Sequence, residues 1–171
     1  MREIEVKFKI KNYNNTRLKI ESVDAEYKGK YKQLDLWLDT KNKRLKREKE
    51  GLRIRQQDNK TVLTFKKIEH LDSKFREAEE IETEVSDPKI TLEILKRLGF
   101  ETDVEIRKER EIWRIDKVEI CLDRVKGLGT FLELEGSRKN MEEVIKKLGF
   151  KNLSRIIKHY KELKEEKRDQ N

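Results

Sequence analysis

The sequence of 171 residues has few of the residues that build covalent or metal cross-links. It contains one cysteine, Cys121, which excludes a disulfide within the chain and a zinc site with several cysteine ligands. It also lacks an apolar run long enough for a signal peptide or a membrane span. We therefore expect a cytoplasmic protein with no membrane segment.

Two signatures of nucleotide-binding folds are also missing. The glycines do not form a Walker phosphate-binding loop, and Gly127-Leu-Gly129 alone is a turn and not a dinucleotide fingerprint. The order of the predicted elements does not alternate strand with helix, as a parallel nucleotide-binding sheet requires. These absences exclude the common parallel-sheet nucleotide folds.

Charge, in contrast, is abundant. Charged residues make up 46% of the chain and apolar residues 34%, and 43 lysines and arginines against 35 aspartates and glutamates leave a net charge of +8. The apolar residues are periodic and not sparse, which predicts a folded chain. The length fits a single domain over residues 1–171.

Much of the chain alternates polar and apolar residues, which is the pattern of half-buried β-strands. Near the N-terminus, Ile4, Val6 and Phe8 lie on one side of the predicted strand and charged residues lie on the other. Seven or eight such strands occur with few helices, including one predicted over about 154–168. This order predicts an α+β protein with a closed antiparallel eight-stranded β-barrel and a few flanking helices.

The polar faces of these strands carry like charges side by side. Arg53 and Arg55, and likewise Glu133 and Glu135, lie two residues apart on one face. Contact with water is the simpler interpretation of any one such face. As a set, however, paired carboxylates suit Mg²⁺ or Mn²⁺, and paired cations suit a phosphate chain. Inside a barrel, these faces would line a tunnel for a metal-bound polyphosphate.

The N-terminal motif Glu3-Ile-Glu-Val-Lys7 resembles the signature of the CYTH superfamily, the triphosphate tunnel metalloenzymes. Further motifs follow in the family's order over nearly the whole chain: Asp35 to Asp39, Gly51-Leu-Arg-Ile-Arg55, Leu63-Thr-Phe-Lys66, Glu82-Thr-Glu84, Lys108-Glu-Arg110, and Leu122 to Glu135. The resemblance implies a closed antiparallel barrel whose polar tunnel binds a triphosphate with Mg²⁺ or Mn²⁺.

The resemblance also implies roles for the charged residues of these motifs. Phosphate binding would fall to six cations: Lys7, Arg53, Arg55, Lys66, Lys108 and Arg110. Metal ligands would come from six carboxylates: Glu3, Glu5, Glu84, Asp123, Glu133 and Glu135. The catalytic residues would be Lys7, Glu82, Glu84 and Asp123. Which of the carboxylates contact the metal directly is left open by the sequence.

The resemblance leaves two activities open. The short length and the Gly127-Leu-Gly129 turn are most similar to the class IV adenylyl cyclase branch, which converts ATP to cyclic AMP and pyrophosphate. Where that branch is expected to have a serine–tyrosine pair, this chain has His159-Tyr160. The alternative is a triphosphatase that hydrolyses tripolyphosphate, thiamine triphosphate or a nucleoside triphosphate in the same tunnel.

A third hypothesis is a nucleic-acid-binding module without catalysis. Residues 41–60 include nine basic and three acidic residues, which would attract a phosphate backbone. Residues 77–87 include six acidic residues and no basic one, which would repel it. We therefore expect the partner to be a small-molecule triphosphate, and the exposed strand faces would also allow a homodimer.

The remaining reactive or aromatic residues have a structural interpretation. Cys121 is expected to pack between strands, and His159 and Tyr160 are expected to be structural residues. For Trp37 two interpretations stay open, because its alternation with Asp35 fits either a ring that covers a base or a position at the barrel rim.

Overall fold

The structure is a computed structural model and describes residues 2–170. Its strands are β1 (Arg2–Ile10), β2 (Glu26–Thr40), β3 (Glu50–Gln57), β4 (Lys60–Leu71), β5 (Arg76–Glu84), β6 (Phe100–Ile115), β7 (Val118–Val125), β8 (Gly129–Glu135) and β9 (Arg155–Ile156). Its helices are α1 (Tyr13–Glu21), α2 (Arg44–Arg47), α3 (Pro88–Arg97), α4 (Arg138–Lys147) and α5 (Tyr160–Asp169). Within residues 2–170, no helix has the length and apolar character needed to cross a membrane.

Eight of the strands close into one antiparallel barrel. Neighbouring strands pair in the order β5, β4, β3, β2, β6, β7, β8, β1, and β1 then pairs with β5, where Glu5 lies opposite Arg76. The short strand β9 pairs with β1 further along, with Phe8 opposite Arg155. The closed eight-stranded antiparallel barrel with a few helices confirms the predicted fold class.

The main hydrophobic core lies outside the barrel, between its wall and the helices α1 and α4. Phe8, Ile120 and Leu132 contribute to it from the strands, Ile20 from α1 and Ile145 from α4, and each is at most 1% exposed. Burial of this apolar area is the main favourable contribution to folding. Because successive side chains of a strand point to opposite faces, the charged residues of these strands face the barrel interior.

Helix α5 lies across one end of the interior. Its first residue, Tyr160, is buried in a second apolar cluster with Trp37, Ile106 and Phe131, and the rings of Tyr160 and Phe131 are 5.1 Å apart. Each of these strand residues lies two positions from an inward charged residue of its own strand, so they occupy the inner face of the barrel. The interior therefore has an apolar closed end, and Trp37 lies there.

The C-terminal helix is shorter than the predicted one. Residues 155–156 form strand β9, and α5 begins at Tyr160 instead of near residue 154. The backbone N–H of His159 donates a hydrogen bond to the Glu162 carboxylate at 2.7 Å, which caps the first turn. Pairing with β1 and this cap set the boundary, and neither is visible in the periodicity of the sequence.

A short helix, α2, forms within the basic stretch of residues 41–60. The buried carboxylate of Asp39 accepts hydrogen bonds from the backbone N–H groups of Leu45 at 3.0 Å and Lys46 at 3.1 Å. Because these N–H groups have no partner within the helix, a carboxylate at this point stabilises the turn.

Truncation of the outer core should destabilise the fold strongly. Leu132→Ala removes a side chain with no exposed surface, and we expect the free energy of unfolding to fall by about 2–5 kcal/mol. Leu18→Ala is the control, because Leu18 is 62% exposed, and its effect should stay within about 0.5 kcal/mol. Chemical denaturation followed by circular dichroism measures both, and equal effects would contradict this packing.

Candidate active site in the barrel interior

The barrel interior contains a charged cavity of about 250 Å³. Lys7, which is also predicted to bind phosphate, is buried near this cavity, and its ammonium lies 2.5 Å from the Glu133 carboxylate. The structure therefore brings all six predicted cations into one region. The five that line the cavity are Arg53, Arg55, Lys66, Lys108 and Arg110.

Asp35 holds two of these cations in place. Arg55 donates two hydrogen bonds to the Asp35 carboxylate, at 2.6 and 2.8 Å, and Lys108 donates one at 3.1 Å. Burial opposes the charge of Asp35, which is 1% exposed, but Arg55 and Lys108 hold the pKa of this carboxyl well below its usual range. Asp35 therefore positions two cations, a role that the sequence analysis did not assign to it.

Arg110 is held by two further buried carboxylates. It donates to both oxygens of Asp123, at 2.8 and 2.6 Å, and to Glu133 at 2.7 Å. The Tyr160 hydroxyl donates to Asp123 at 2.8 Å, and Lys7 contacts Glu133. The structure thus places Asp123 and Glu133, which the resemblance offers as metal ligands, among cations and hydrogen-bond donors.

A cluster of carboxylates faces the same cavity. Oxygens of Glu3, Glu5 and Glu135 lie within 4.8 Å of one another. Burial raises the pKa of Glu5, and burial together with the nearby carboxylates raises the pKa of Glu135 well above its usual range. Burial also opposes the charge of Glu3, but Lys66 at 2.9 Å holds the pKa of Glu3 at about 2. Glu5 and Glu135 are therefore less well compensated by positive charge than Glu3 is.

Oxygen ligands crowded in this way fit a hard divalent cation. Glu135 also groups with Glu119 and the buried Cys121 within the same 4.8 Å limit. Burial raises the pKa of the Cys121 thiol well above its usual range, so the thiol is protonated at neutral pH. The all-carboxylate group of Glu3, Glu5 and Glu135 therefore matches Mg²⁺ or Mn²⁺ better than the group with the thiol does.

Three glutamates of β5 lie at different depths. Glu80 is buried in the cavity wall opposite Lys66, and burial and its hydrogen bond to Glu3 raise its pKa to about 8. Glu82 lines the cavity at its mouth, where its carboxylate accepts a hydrogen bond from Thr64 at 2.7 Å. Glu84 does not line the cavity, and its side chain is 69% exposed.

The structure therefore brings Glu82 to the cavity and leaves Glu84 on the surface. The reason is that β5 continues past the mouth, so its last residues reach solvent. Glu80 was missed by the sequence analysis. The alternation of β5 could have found it, because Glu80 lies two residues before Glu82 on the same face.

The start of helix α5 and the residue before it contribute two side chains to the cavity that were expected to be structural. His159 and Tyr160 both line it. The ammonium groups of Lys7 and Lys108 lie 4.7 and 5.3 Å from the centre of the Tyr160 ring, within the range of cation–π contacts. No local pattern predicts this position, because it depends on how α5 docks on the barrel.

A closed antiparallel barrel with cations and carboxylates around an interior cavity is the architecture of the triphosphate tunnel proteins. Comparison with known proteins agrees, since residues 1–167 match the CYTH domain family, and the chain belongs to this family.

Three relatives illustrate the similarity. A protein of Methanocaldococcus jannaschii named "Putative adenylate cyclase" is 34% identical over 176 residues, which cover 96% of this chain and 99% of the relative. A Pyrococcus horikoshii protein of known structure is 32% identical, with a TM-score of 0.84 over 94% of this chain and 98% of that one. A Hippeastrum protein described as a "Putative adenylyl cyclase" with a dominant triphosphatase activity is 23% identical. Its TM-score of 0.68, over 86% of this chain and 88% of that one, shows a shared fold.

Removal of the Asp35 charge should destabilise the protein. Asp35→Asn leaves Arg55 and Lys108 buried without their counter-ion, and we expect the free energy of unfolding to fall by about 3–5 kcal/mol. Glu84→Gln is the control, since it breaks an exposed pair with Lys60 and should change stability by less than about 1 kcal/mol. Urea denaturation measures both, and a small loss for Asp35→Asn would show that Asp35 does not compensate the two cations.

Proposed function

We propose that the charged cavity binds ATP through its triphosphate, together with a divalent cation, and converts ATP to cyclic AMP and pyrophosphate. The observation that carries this proposal is the grouping of six cations and a carboxylate cluster around one small cavity. A phosphate chain and a metal ion together compensate both sets of charges, which neither does alone. The M. jannaschii relative, which is named "Putative adenylate cyclase", supports the choice of ATP.

Arg53 is the residue best prepared to bind a phosphate oxygen. Its guanidinium is buried and donates to Thr64 at 3.1 Å, whereas its Nε has no hydrogen-bond acceptor among the described residues. A buried N–H group without an acceptor costs stability. A phosphate oxygen in the cavity would accept from it, and Lys66 and Lys108 would add positive charge beside it.

Glu3, Glu5 and Glu135 would hold the metal ion. Their oxygens are close enough to share one ion, and oxygen is the ligand that Mg²⁺ and Mn²⁺ prefer. When bound, the ion would polarise the phosphate at which the bond changes occur.

The side chains of this protein would bind the triphosphate, orient it and compensate its charge. The buried cations hold the triphosphate in one orientation, which aligns the ribose 3′-oxygen with the α-phosphorus. As the new bond to that oxygen forms, the bond to the bridging oxygen breaks, pyrophosphate leaves, and the hydroxyl proton passes to a cavity carboxylate. The cations of the cavity would stabilise the charge that develops on pyrophosphate.

A triphosphatase is the second candidate. The residues that line the charged cavity would bind a tripolyphosphate equally well, with water in place of the ribose hydroxyl as the attacking group. The Hippeastrum relative, described as having a dominant triphosphatase activity, has the same fold. The two candidates differ in their products.

Product analysis tests both candidates. The purified protein is incubated with ATP or tripolyphosphate, with Mg²⁺, with Mn²⁺ or with chelator, and all products are separated by chromatography. We expect cyclic AMP and pyrophosphate from ATP, with none in chelator. Orthophosphate, mainly from tripolyphosphate, would replace the cyclase with the triphosphatase, and the absence of any metal-dependent product would refute both.

Triphosphate binding should weaken at alkaline pH. Burial and the charge of Arg55 lower the pKa of Lys108 to about 8, so the empty cavity loses a positive charge as the pH rises through 8. We expect the KM for the triphosphate to rise several-fold between pH 7 and pH 9.5. The Lys108→Arg variant keeps its charge over this range and should show a flatter profile. Parallel profiles for the two proteins would exclude Lys108 as the titrating group.

A further inference from the structure

A second cavity of about 250 Å³ lies beside the charged one, at the end that α5 closes. Lys66 and His159 line both cavities and therefore lie between them. The wall of the second cavity includes an apolar surface formed by Trp37, Gly51 and Ile68. None of these three residues lines the charged cavity, so the two spaces differ in chemistry.

Trp37 is the residue of this wall that points to a ligand. Its side chain is 3% exposed, and its indole N–H has no hydrogen-bond acceptor among the described residues. A buried tryptophan normally finds an acceptor for this group, because an unsatisfied buried N–H is costly. This unsatisfied donor belongs to a side chain that lines the second cavity, which is the observation that points to a ligand there.

The backbone at Gly51 lies close against the Trp37 indole. A side-chain carbon at residue 51 would lie 2.7 Å from Cζ3 of Trp37, which is too close for any real contact. Glycine at this position therefore lets the six-membered ring of Trp37 lie against strand β3. The packing of Trp37 in the wall of the second cavity therefore depends on a glycine at position 51.

The neighbours of Trp37 make the cavity suitable for an uncharged ring. The His159 ring meets the Trp37 ring edge to face at 4.6 Å, and the Arg53 guanidinium lies 5.5 Å from the Trp37 ring centre. Burial and the positive charges of Arg76 and Lys66 lower the pKa of His159 well below its usual range, so its imidazole is neutral. Aromatic rings pack well against such surfaces.

Helix α5 is fixed over this end of the barrel by ion pairs. Lys46 contacts Glu165 at 2.7 Å, and Arg76 contacts Glu162 at 2.5 Å. All four residues line the second cavity, so its outer side is a wall held by charge pairs while its inner side is apolar.

We infer that the second cavity binds the nucleobase of a nucleoside triphosphate whose phosphate chain lies in the charged cavity. This inference rests on the proposed function. Lys66 would contact a phosphate where the ligand passes from one cavity to the other, and the Trp37 N–H would donate to a ring nitrogen or carbonyl of the base. The base pocket would then distinguish a nucleotide from an unsubstituted tripolyphosphate.

Equilibrium binding tests this inference independently of turnover. The ligands are the bis-methylene analogues of ATP and of tripolyphosphate, which neither cyclise nor hydrolyse, and calorimetry in Mg²⁺ gives both dissociation constants. Trp37→Phe removes the N–H group, and Ile68→Trp fills the cavity. Trp113→Phe is the matched control, because it makes the same change at a buried tryptophan of the outer core.

We expect Trp37→Phe to weaken binding of the ATP analogue roughly 5- to 10-fold, which is the typical effect of losing one hydrogen bond. Ile68→Trp should weaken it further, and neither variant should change the affinity for the tripolyphosphate analogue by more than about twofold. Trp113→Phe should leave both affinities unchanged.

Three results would overturn the inference. In the first, both variants bind the ATP analogue as the unchanged protein does. In the second, the affinities for both analogues fall equally, which would mean that Trp37 only supports the barrel. In the third, the unchanged protein binds the ATP analogue no more tightly than the tripolyphosphate analogue. If the unchanged protein binds neither analogue, the proposed function itself fails, and this result is distinct from the other three.

Discussion

The cost of burying charge governs the interior of this barrel. A charged group removed from water is tolerated when partners compensate it. Arg110 is compensated by Asp123 and Glu133, and Asp35 compensates Arg55 and Lys108. These pairs keep the cations rigid in a small cavity, which is what the recognition of a multiply charged ligand requires.

The carboxylates of the barrel interior form two groups with different roles. Asp35, Asp123 and Glu133 are held by cations and position them, whereas Glu5 and Glu135 remain crowded and short of positive charge. The carboxylates of the first group compensate the cations of the cavity wall in the absence of a ligand. A divalent cation would compensate the second group equally well, which supports the proposed metal site.

The closed end of the barrel interior differs in chemistry from its middle. Cations and carboxylates line the middle of the interior, while Trp37, Phe131 and Tyr160 fill the end beneath α5. A ligand with a charged end and an aromatic end would match this order in one orientation. Because α5 is held by ion pairs such as Lys46 with Glu165, the orientation depends on the tertiary fold as well as on the strands.

The sequence alone was enough to predict the barrel and its charged lining, because alternation decides which face of a strand is apolar. The resemblance to the CYTH superfamily identified the six cations that the fold brings together. The sequence did not show that Glu84 lies beyond the mouth, that Glu80 lies within it, or that Asp35 holds two cations. Those positions depend on strand tilt and register between distant segments, and the places of Trp37 and Tyr160 depend on where α5 docks. Only tertiary contacts decide such features, since no local pattern records them.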